Sequence, residues 1–186
     1  PIATALAANE AIDSVCSLPE SMLKLKLDPD RGTSQHLYVR QYTLNQRAIE
    51  AARVVVERWL ATGKIIRAPP GCPYNNPLTV APKKDDNGQL TGFRVCLDTR
   101  RLNNALIDND HFEIPLIRNV LDSLQGCSIF GEFDLAEAYL QFPLHPESQP
   151  YTAFTWGTEQ YMFTCCPFGL SVMPSHFQGC MSFVFR

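Results

Sequence analysis

Three acidic side chains beside an apolar run are the residues best suited to metal or acid–base chemistry. Glu132 and Asp134 are two positions apart at the end of residues 128–134, so a strand there would point both to one face, with Glu137 just beyond. A buried carboxylate is costly unless it is paired or binds a metal. For Glu132 and Glu137 a solvent-facing position is favoured. Asp134 directly follows the apolar residues where the strand should leave the core, but one carboxylate does not complete a Mg²⁺ site.

Basic side chains on a predicted β-hairpin form a second candidate site. Lys83 and Lys84 are in its turn and Arg94 is on the return strand. Together they could hold a phosphate chain, because lysine supplies a mobile charge and arginine can grip phosphate oxygens with two hydrogen bonds. Adjacent lysines are more often only a solvent-exposed turn, and both interpretations stay open. For Tyr139, five residues after Asp134, aromatic packing is the simplest explanation.

The hydrophobic pattern predicts a chain of mixed helices and strands that would position these side chains. Helices are predicted at 45–62, at 115–125 and from Pro174 onward, and strands at 78–82, 93–97, 128–134, 151–156 and 160–165. Thr43 and Gln46 form a candidate capping box for the first helix. The proline-rich stretch 66–73 is predicted to be a loop, and residues 1–35 a leader or linker.

The composition predicts a soluble globular chain. With 186 residues, 45% of them hydrophobic, and 11 Phe, 6 Tyr and 2 Trp, it excludes a disordered protein. No apolar run approaches the roughly 18 residues of a membrane helix. The seven cysteines have no Cys-x-x-Cys spacing, which indicates reduced intracellular thiols and neither a disulfide framework nor a zinc site. Both ends of the sequence are expected to be cut from a longer chain.

Charge is unevenly distributed along the chain, whose net charge is −3. Residues 36–105 carry 11 basic and 5 acidic groups, whereas residues 106–186 carry 2 basic and 9 acidic groups. A basic block followed by an acidic one would suit a protein that holds a polyanion with one part and metal cations with the next. Two solvated faces of opposite charge explain the same pattern at least as well.

Six short motifs occur in a fixed order along the chain. They are Pro73-Tyr-Asn-Asn-Pro77, Val80-Ala-Pro-Lys-Lys-Asp85, the stretch from Phe93 to Asn103, Phe133-Asp-Leu-Ala-Glu-Ala-Tyr139, Tyr151-Thr-Ala-Phe-Thr155, and Pro167-Phe-Gly-Leu170 with Pro174 and Phe177-Gln178. In this order they resemble the reverse transcriptases of LTR retroelements, nearest to those of gypsy-type retrotransposons. The first and fifth motifs also have a lentivirus-like form. The resemblance runs from about Tyr38 to Arg186.

The resemblance implies an α+β fold that comprises the fingers and part of the palm of a right-hand polymerase. It divides the chain into a linker or leader (1–35), fingers (36–107), the first part of the palm (108–141), a second part of the fingers (142–172) and further palm (173–186). The family's second carboxylate motif, Tyr-x-Asp-Asp on a hairpin, is absent from this sequence. The chain is therefore expected to be truncated before that hairpin and to be inactive by itself.

The resemblance also assigns roles to the candidate residues. Asp134 would be the catalytic carboxylate that binds both Mg²⁺ ions, and the Leu135 carbonyl would be a further metal ligand. Lys83 would meet the γ-phosphate of the incoming nucleotide, and Arg94 would lie over its phosphates and base.

Further contacts with the substrates are implied in the same way. The Glu137 and Ala138 amides would line the triphosphate, Tyr139 would be the steric gate that rejects a 2′-hydroxyl, and Phe168 would lie beside the 3′-hydroxyl. The residues that fall where the family touches the template strand are Tyr74, Asn75, Pro77 and Arg100.

The activity implied is RNA-directed DNA polymerase, a nucleotidyltransferase that uses two Mg²⁺ ions. Its partners would be an RNA or DNA template-primer, dNTPs and the remainder of a Pol polyprotein, namely the rest of the palm, the thumb and RNase H. No membrane partner is expected, and the location would be the cytoplasm, in a virus-like particle. The alternative is a non-catalytic, nucleic-acid-binding relic of a retroelement, and a metal-dependent nuclease is a more distant one. Descent from an active enzyme is favoured by the joint presence of four residues: Asp134, Lys83, Arg94 and Tyr139.

Overall fold

The computed structural model describes residues 15–85, 87–107, 112, 114–132 and 134–185. Three predicted features lie partly outside the described residues: the leader at 1–14, the start of the palm at 108–111, and the strand at Phe133. Helices and antiparallel sheets both occur in the described part, which agrees with an α+β class.

Short elements dominate the described chain. The α-helices are α1 (Ser34–Leu37), α2 (Gln46–Ala61), α3 (Arg100–Ala105), α4 (Ile117–Ser123) and α5 (Met173–Val184), and 3₁₀ helices span Pro19–Ser21, Ala138–Gln141 and Pro146–Thr152. The strands are β1 (Ile65–Arg67), β2 (Leu78–Lys84), β3 (Leu90–Leu97), β4 (Phe154–Trp156) and β5 (Glu159–Phe163). Among the helices that the structure describes, none has the length and apolar character needed to cross a membrane.

Helix α2 forms where helical periodicity predicts it. Its buried side chains recur at intervals of three or four residues, at Ala48, Ala52, Val56 and Trp59. The cap differs from the prediction, because the Asn45 side chain, rather than that of Thr43, accepts a hydrogen bond from the Ala48 amide at 2.9 Å. Gly63, at φ 67°, follows the end of the helix in the left-handed conformation that glycine adopts at low cost.

The strands form two antiparallel sheets. Strands β2 and β3 pair as the predicted hairpin, from Leu78 opposite Leu97 to Lys84 opposite Leu90, and are longer than predicted. The other sheet has the order β1-β5-β4. Strand β1 overlaps the stretch predicted as a loop, because its three residues pair with β5 just before the prolines at 69 and 70.

Two large clusters of buried side chains, with a smaller one at Cys72, Ala153 and Met162, form the core of the described residues. One joins α2, the hairpin and β4–β5, where the Trp59 and Phe154 rings lie 5.1 and 5.5 Å from the Phe163 ring. The other surrounds α3 and α5 and includes Leu23 and Leu25 from the stretch predicted as a leader. Leu23 also forms a parallel bridge with Leu144, so this stretch is part of the packed core.

The predicted buried strand at 128–134 is wrong for the residues that are described. Residues 128–132 and 134 are neither helical nor extended in a ladder, and the Ile129 and Phe130 side chains are 90% and 64% exposed. A strand needs a neighbour to pair with its backbone groups, and no described strand pairs with this segment. Helix α4 is shorter than predicted, buries no residue and begins after Leu116 rather than at Pro115.

We expect Asn45→Ala to lower the free energy of unfolding by about 1 kcal/mol, because the first turn of α2 loses its side-chain acceptor. Urea unfolding of the purified chain measures this change. Thr43→Ala is the matched control and should leave the unfolding midpoint unchanged. If the two substitutions had equal effects, or Thr43→Ala the larger one, the cap would be wrongly placed.

Candidate functional site

A cleft of about 240 Å³ lies between α2, the β2–β3 hairpin and the turn that precedes Ala138. Its walls include Arg58, Trp59, Lys83, Arg94, Glu137 and Phe168. Three of these side chains are positively charged and one is negatively charged. The cleft thus brings together four residues that the sequence associates with a nucleotide, although they come from three distant parts of the chain.

The hairpin register places two of the basic side chains together. Ala81 pairs with Arg94 across the ladder, and Lys83 is two residues after Ala81. Because side chains alternate along a strand, Lys83 and Arg94 leave the same face of the hairpin. The buried side chains of Leu78, Val95 and Leu97 anchor the other end of the hairpin in the core, so its tip extends into solvent.

Phe168 is held in the cleft by a close approach of the backbone that follows it. Gly169 has φ 112°, and a Cβ atom there would lie 2.8 Å from the Thr99 hydroxyl and 2.9 Å from the Leu97 carbonyl oxygen. The Asn103 side chain donates a hydrogen bond to the Gly169 carbonyl at 2.8 Å. Glycine is therefore required at position 169 for the turn to sit against α3.

The turn at Glu137 forms another wall of the cleft. Glu137 has φ 47° and ψ 42°, and Ala138 begins the 3₁₀ helix directly after it. The Glu137 carboxylate accepts a hydrogen bond from the Arg58 guanidinium across the cleft. Tyr139 is half-buried, with its ring 5.6 Å from that of Phe168 and 5.8 Å from that of Phe177. Aromatic packing accounts for this position, and its role as a steric gate stays a prediction.

Asp134 and Leu135, the predicted metal ligands, are both exposed. Carboxylate and carbonyl oxygens are the donor types that Mg²⁺ prefers. In the described ranges, however, no group of three His, Cys, Asp or Glu side chains is arranged to hold a metal ion. The Asp134 carboxylate and the Leu135 carbonyl are therefore suitable ligand types for Mg²⁺. The described residues nevertheless do not supply the further carboxylates that two ions would need.

The four predicted template residues are in different environments. Asn75 is 1% exposed, and its side chain donates to the Val39 carbonyl and accepts from the Thr155 hydroxyl. Pro77 is also buried, and Tyr74 is half-buried against Tyr151. Arg100 is the one of the four with an exposed side chain. Template contact by all four stays a prediction.

Arg100 is oriented by a polar cluster at the end of β3. Its guanidinium donates hydrogen bonds to both carboxylate oxygens of Asp98, at 2.8 and 2.6 Å, and the Tyr42 hydroxyl donates to the same carboxylate at 2.8 Å. These bonds, chiefly those from Arg100, lower the pKa of Asp98 from 3.8 to about 2, against the opposing effect of burial. The charge of Arg100 is therefore held at a fixed place on the surface.

Three polar residues that shape the site were not predicted from the sequence: Arg58, Tyr42 and Asp98. The spacing of Asp98 and Arg100 is a weak local signal for an ion pair. No local signal connects Arg58 with Glu137, because 79 positions separate them.

Comparison with known proteins identifies similar sequences. The family model described as reverse transcriptase (RNA-dependent DNA polymerase) matches residues 81–186. The chain is 35% identical over 150 residues, 81% of its length, to the retrovirus-related Pol polyprotein from transposon 297 of Drosophila melanogaster. It is 31% identical over 173 residues, 92% of its length, to that from transposon 412 of the same organism. It is also 30% identical over 147 residues, 75% of its length, to a Pol polyprotein of equine infectious anemia virus. The matched region covers between 12% and 14% of these relatives.

The lowered pKa of Asp98 predicts a pH-dependent contribution to stability. Because the pKa is about 2 in the folded chain and near 3.8 when unfolded, the contribution is complete above about pH 4 and is lost as the pH falls toward 2. Asp98→Asn should therefore be less stable than the original chain at pH 6, with a difference that shrinks below pH 4. Urea unfolding at several pH values measures this difference.

Tyr42→Phe is the control, because it removes the hydrogen bonds of the Tyr42 hydroxyl with Asp98 and Arg100 and leaves the direct pair between Asp98 and Arg100 intact. It should give a smaller pH-dependent change than Asp98→Asn. A difference between Asp98→Asn and the original chain that stayed constant from pH 6 to 3 would contradict the role of this carboxylate.

Proposed function

This chain belongs to the reverse transcriptase family, and we propose that it supplies the nucleotide-binding part of an RNA-directed DNA polymerase. The transposon relatives agree with a gypsy-type retroelement. As they are Pol polyproteins, we further propose that the chain works as part of a Pol polyprotein.

The observation that carries this proposal is the convergence of Lys83, Arg94 and Phe168 on one cleft beside Glu137. Three cationic side chains against one carboxylate give the cleft a net positive charge that suits a triphosphate. Phe168 adds an aromatic surface for the sugar or base. A surface that only binds nucleic-acid strands has no need for a cleft that joins these cations to an aromatic side chain.

In the proposed reaction the primer 3′-hydroxyl oxygen forms a bond to the α-phosphorus while the bond to the β-phosphate oxygen breaks and pyrophosphate leaves. Lys83 and Arg94 hold the phosphates and neutralise the charge that develops on the leaving group. Tyr139, between Phe168 and Phe177, closes the sugar side of the site by its bulk. Arg100, fixed by Asp98, contacts the template strand together with the segment around Tyr74.

The metal chemistry is proposed to involve Asp134 and the Leu135 carbonyl. A bound Mg²⁺ ion would help to activate the attacking hydroxyl and neutralise phosphate charge. One carboxylate together with substrate phosphates is a ligand set that Mg²⁺ accepts. The second carboxylate motif is absent from the 186 residues, and we therefore propose that they do not extend a primer alone.

A non-catalytic nucleic-acid-binding protein is the second candidate, favoured by the 11 basic and 5 acidic residues in 36–105. It would bind strands through the same surface and would show no specific requirement for Asp134. Mutation of this carboxylate therefore distinguishes the two functions.

In an active polymerase that includes these residues, we expect Asp134→Asn to abolish nucleotide incorporation and to leave primer-template affinity nearly unchanged. The substitution keeps the size of the side chain but removes the charge that attracts a metal. Incorporation of dTTP on poly(rA)/oligo(dT) and an anisotropy titration measure the two quantities. Retention of a tenth of the activity would remove Asp134 from the proposed mechanism.

In the same polymerase, Lys83→Ala should raise the KM for dNTP about tenfold or more, because a hydrogen bond to a charged group contributes roughly 1.5–3 kcal/mol. Lys84→Ala is the matched control, because Lys84 is the adjacent lysine and is not part of the cleft wall. It should change KM by less than about twofold. Equal effects of the two substitutions would indicate a general charge effect and no specific phosphate contact.

A further inference from the structure

We propose that Arg58 is a positioning residue that holds the Glu137 turn in its left-handed conformation and thereby shapes the phosphate side of the cleft. This inference rests on the proposed function for the identity of the ligand, a nucleoside triphosphate. The physical link between Arg58 and the turn is independent of that function.

The turn has an unusual backbone conformation. Among the described residues, Glu137 is the one non-glycine residue with positive φ, at φ 47° and ψ 42°. This region is unfavourable for a side chain with a Cβ atom. Such a conformation persists only where surrounding contacts hold it in place.

Two kinds of contact hold this turn. The Leu140 amide donates to the Glu137 carbonyl at 2.8 Å, and the Gln141 side chain donates to the Ala136 carbonyl at 2.8 Å. Both are local bonds within 136–141. The contact between Arg58 and the Glu137 carboxylate is different, because it ties the turn to α2.

Arg58 is well placed for this task. It lies on the last turn of α2, and its neighbour Trp59 is 4% exposed and packed edge-on against Phe163. The backbone at position 58 is therefore fixed by the core. The Arg58 and Glu137 side chains are 46% and 36% exposed, so the bond between them spans the open side of the cleft.

The ion pair also sets the balance of charge in the cleft. While it is formed, the Glu137 carboxylate offsets the positive charge of Arg58. Lys83 and Arg94 then supply the remaining positive charge of the cleft wall. A direct contact of Arg58 with phosphate is the alternative role, because a guanidinium has five N–H donors and the contact with Glu137 is made by one nitrogen. The two roles predict different affinities for a chain that combines Arg58→Met with Glu137→Gly.

The test uses the 186-residue chain and four variants: Arg58→Met, Glu137→Gln, Glu137→Gly, and the double variant Arg58→Met with Glu137→Gly. Glycine adopts positive φ at little cost, so the turn no longer needs the ion pair. The rate of amide hydrogen exchange over residues 135–142 measures how often the turn opens. We expect Arg58→Met and Glu137→Gln to raise exchange there roughly three- to tenfold. Arg58→Met should have no further effect in the Glu137→Gly background.

The second measurement is the affinity of the same chains for inorganic tripolyphosphate, by calorimetry. Arg58→Met should weaken binding, whereas the double variant, which has the same net charge as the original chain, should bind as the original chain does. If the double variant bound as weakly as Arg58→Met, Arg58 would be a direct phosphate ligand and the positioning role would be overturned. Unchanged exchange over 135–142 in Arg58→Met would overturn it as well.

The matched control is Arg53→Met, which removes an exposed pair with Glu57 on the same helix, away from the cleft. It should alter neither measurement. If exchange followed the expected pattern and even the original chain did not bind tripolyphosphate, the positioning role would stand and the proposed triphosphate site would fail.

Discussion

The arrangement of the described chain depends on the hydrogen bonds of two buried asparagines. Asn75 and Asn76 are 1% and 2% exposed, and their side chains are hydrogen-bonded to other parts of the chain. The two amide side chains bond to the backbone carbonyls of Val39, Tyr151 and Ala153 and to the side chains of Thr155 and Gln160. A buried amide that loses its partners costs about 1–3 kcal/mol, so neither asparagine can move without a large penalty. The two asparagines thus hold together segments that are far apart in the sequence, around positions 39, 75 and 151–160.

The contacts around the two asparagines determine where the cleft forms. Strand β2 begins two residues after Asn76, and the Pro77 carbonyl between them accepts a hydrogen bond from the Asp98 amide just past the end of β3. Both strands of the hairpin are therefore anchored at the same end. The direction of the hairpin, and with it the position of Lys83 and Arg94, follows from contacts at its buried base. The same Asp98 orients Arg100, so the proposed phosphate and template contacts share one support.

The sequence predicted those features that depend on local patterns. Helix α2 and the β2–β3 hairpin follow from apolar periodicity and a polar turn, and the ordered motifs indicated Lys83 and Arg94. Features that depend on distant partners could not be predicted in this way. The pairing of β1 with β5 and the contact of Arg58 with Glu137 join positions about 80 to 100 apart. For the segment 128–132 the local pattern predicted a strand that is not formed. Its apolar residues fit a strand pattern, but no described strand pairs with them.

The two parts of the proposed chemistry, phosphate binding and metal binding, are supported differently by the fold. Lys83, Arg94, Phe168 and the Glu137 turn surround one cleft whose position is fixed by the core and by the buried asparagines. Asp134 lies on an exposed segment that none of the core clusters includes. The proposed phosphate site is therefore built by contacts within the described residues, whereas the geometry of the proposed metal ligand is not fixed by them. The turn at Glu137, three residues after Asp134, is where the two parts meet. Arg58, by holding that turn against α2, is the contact through which the rigid part can restrain Asp134, the proposed metal ligand.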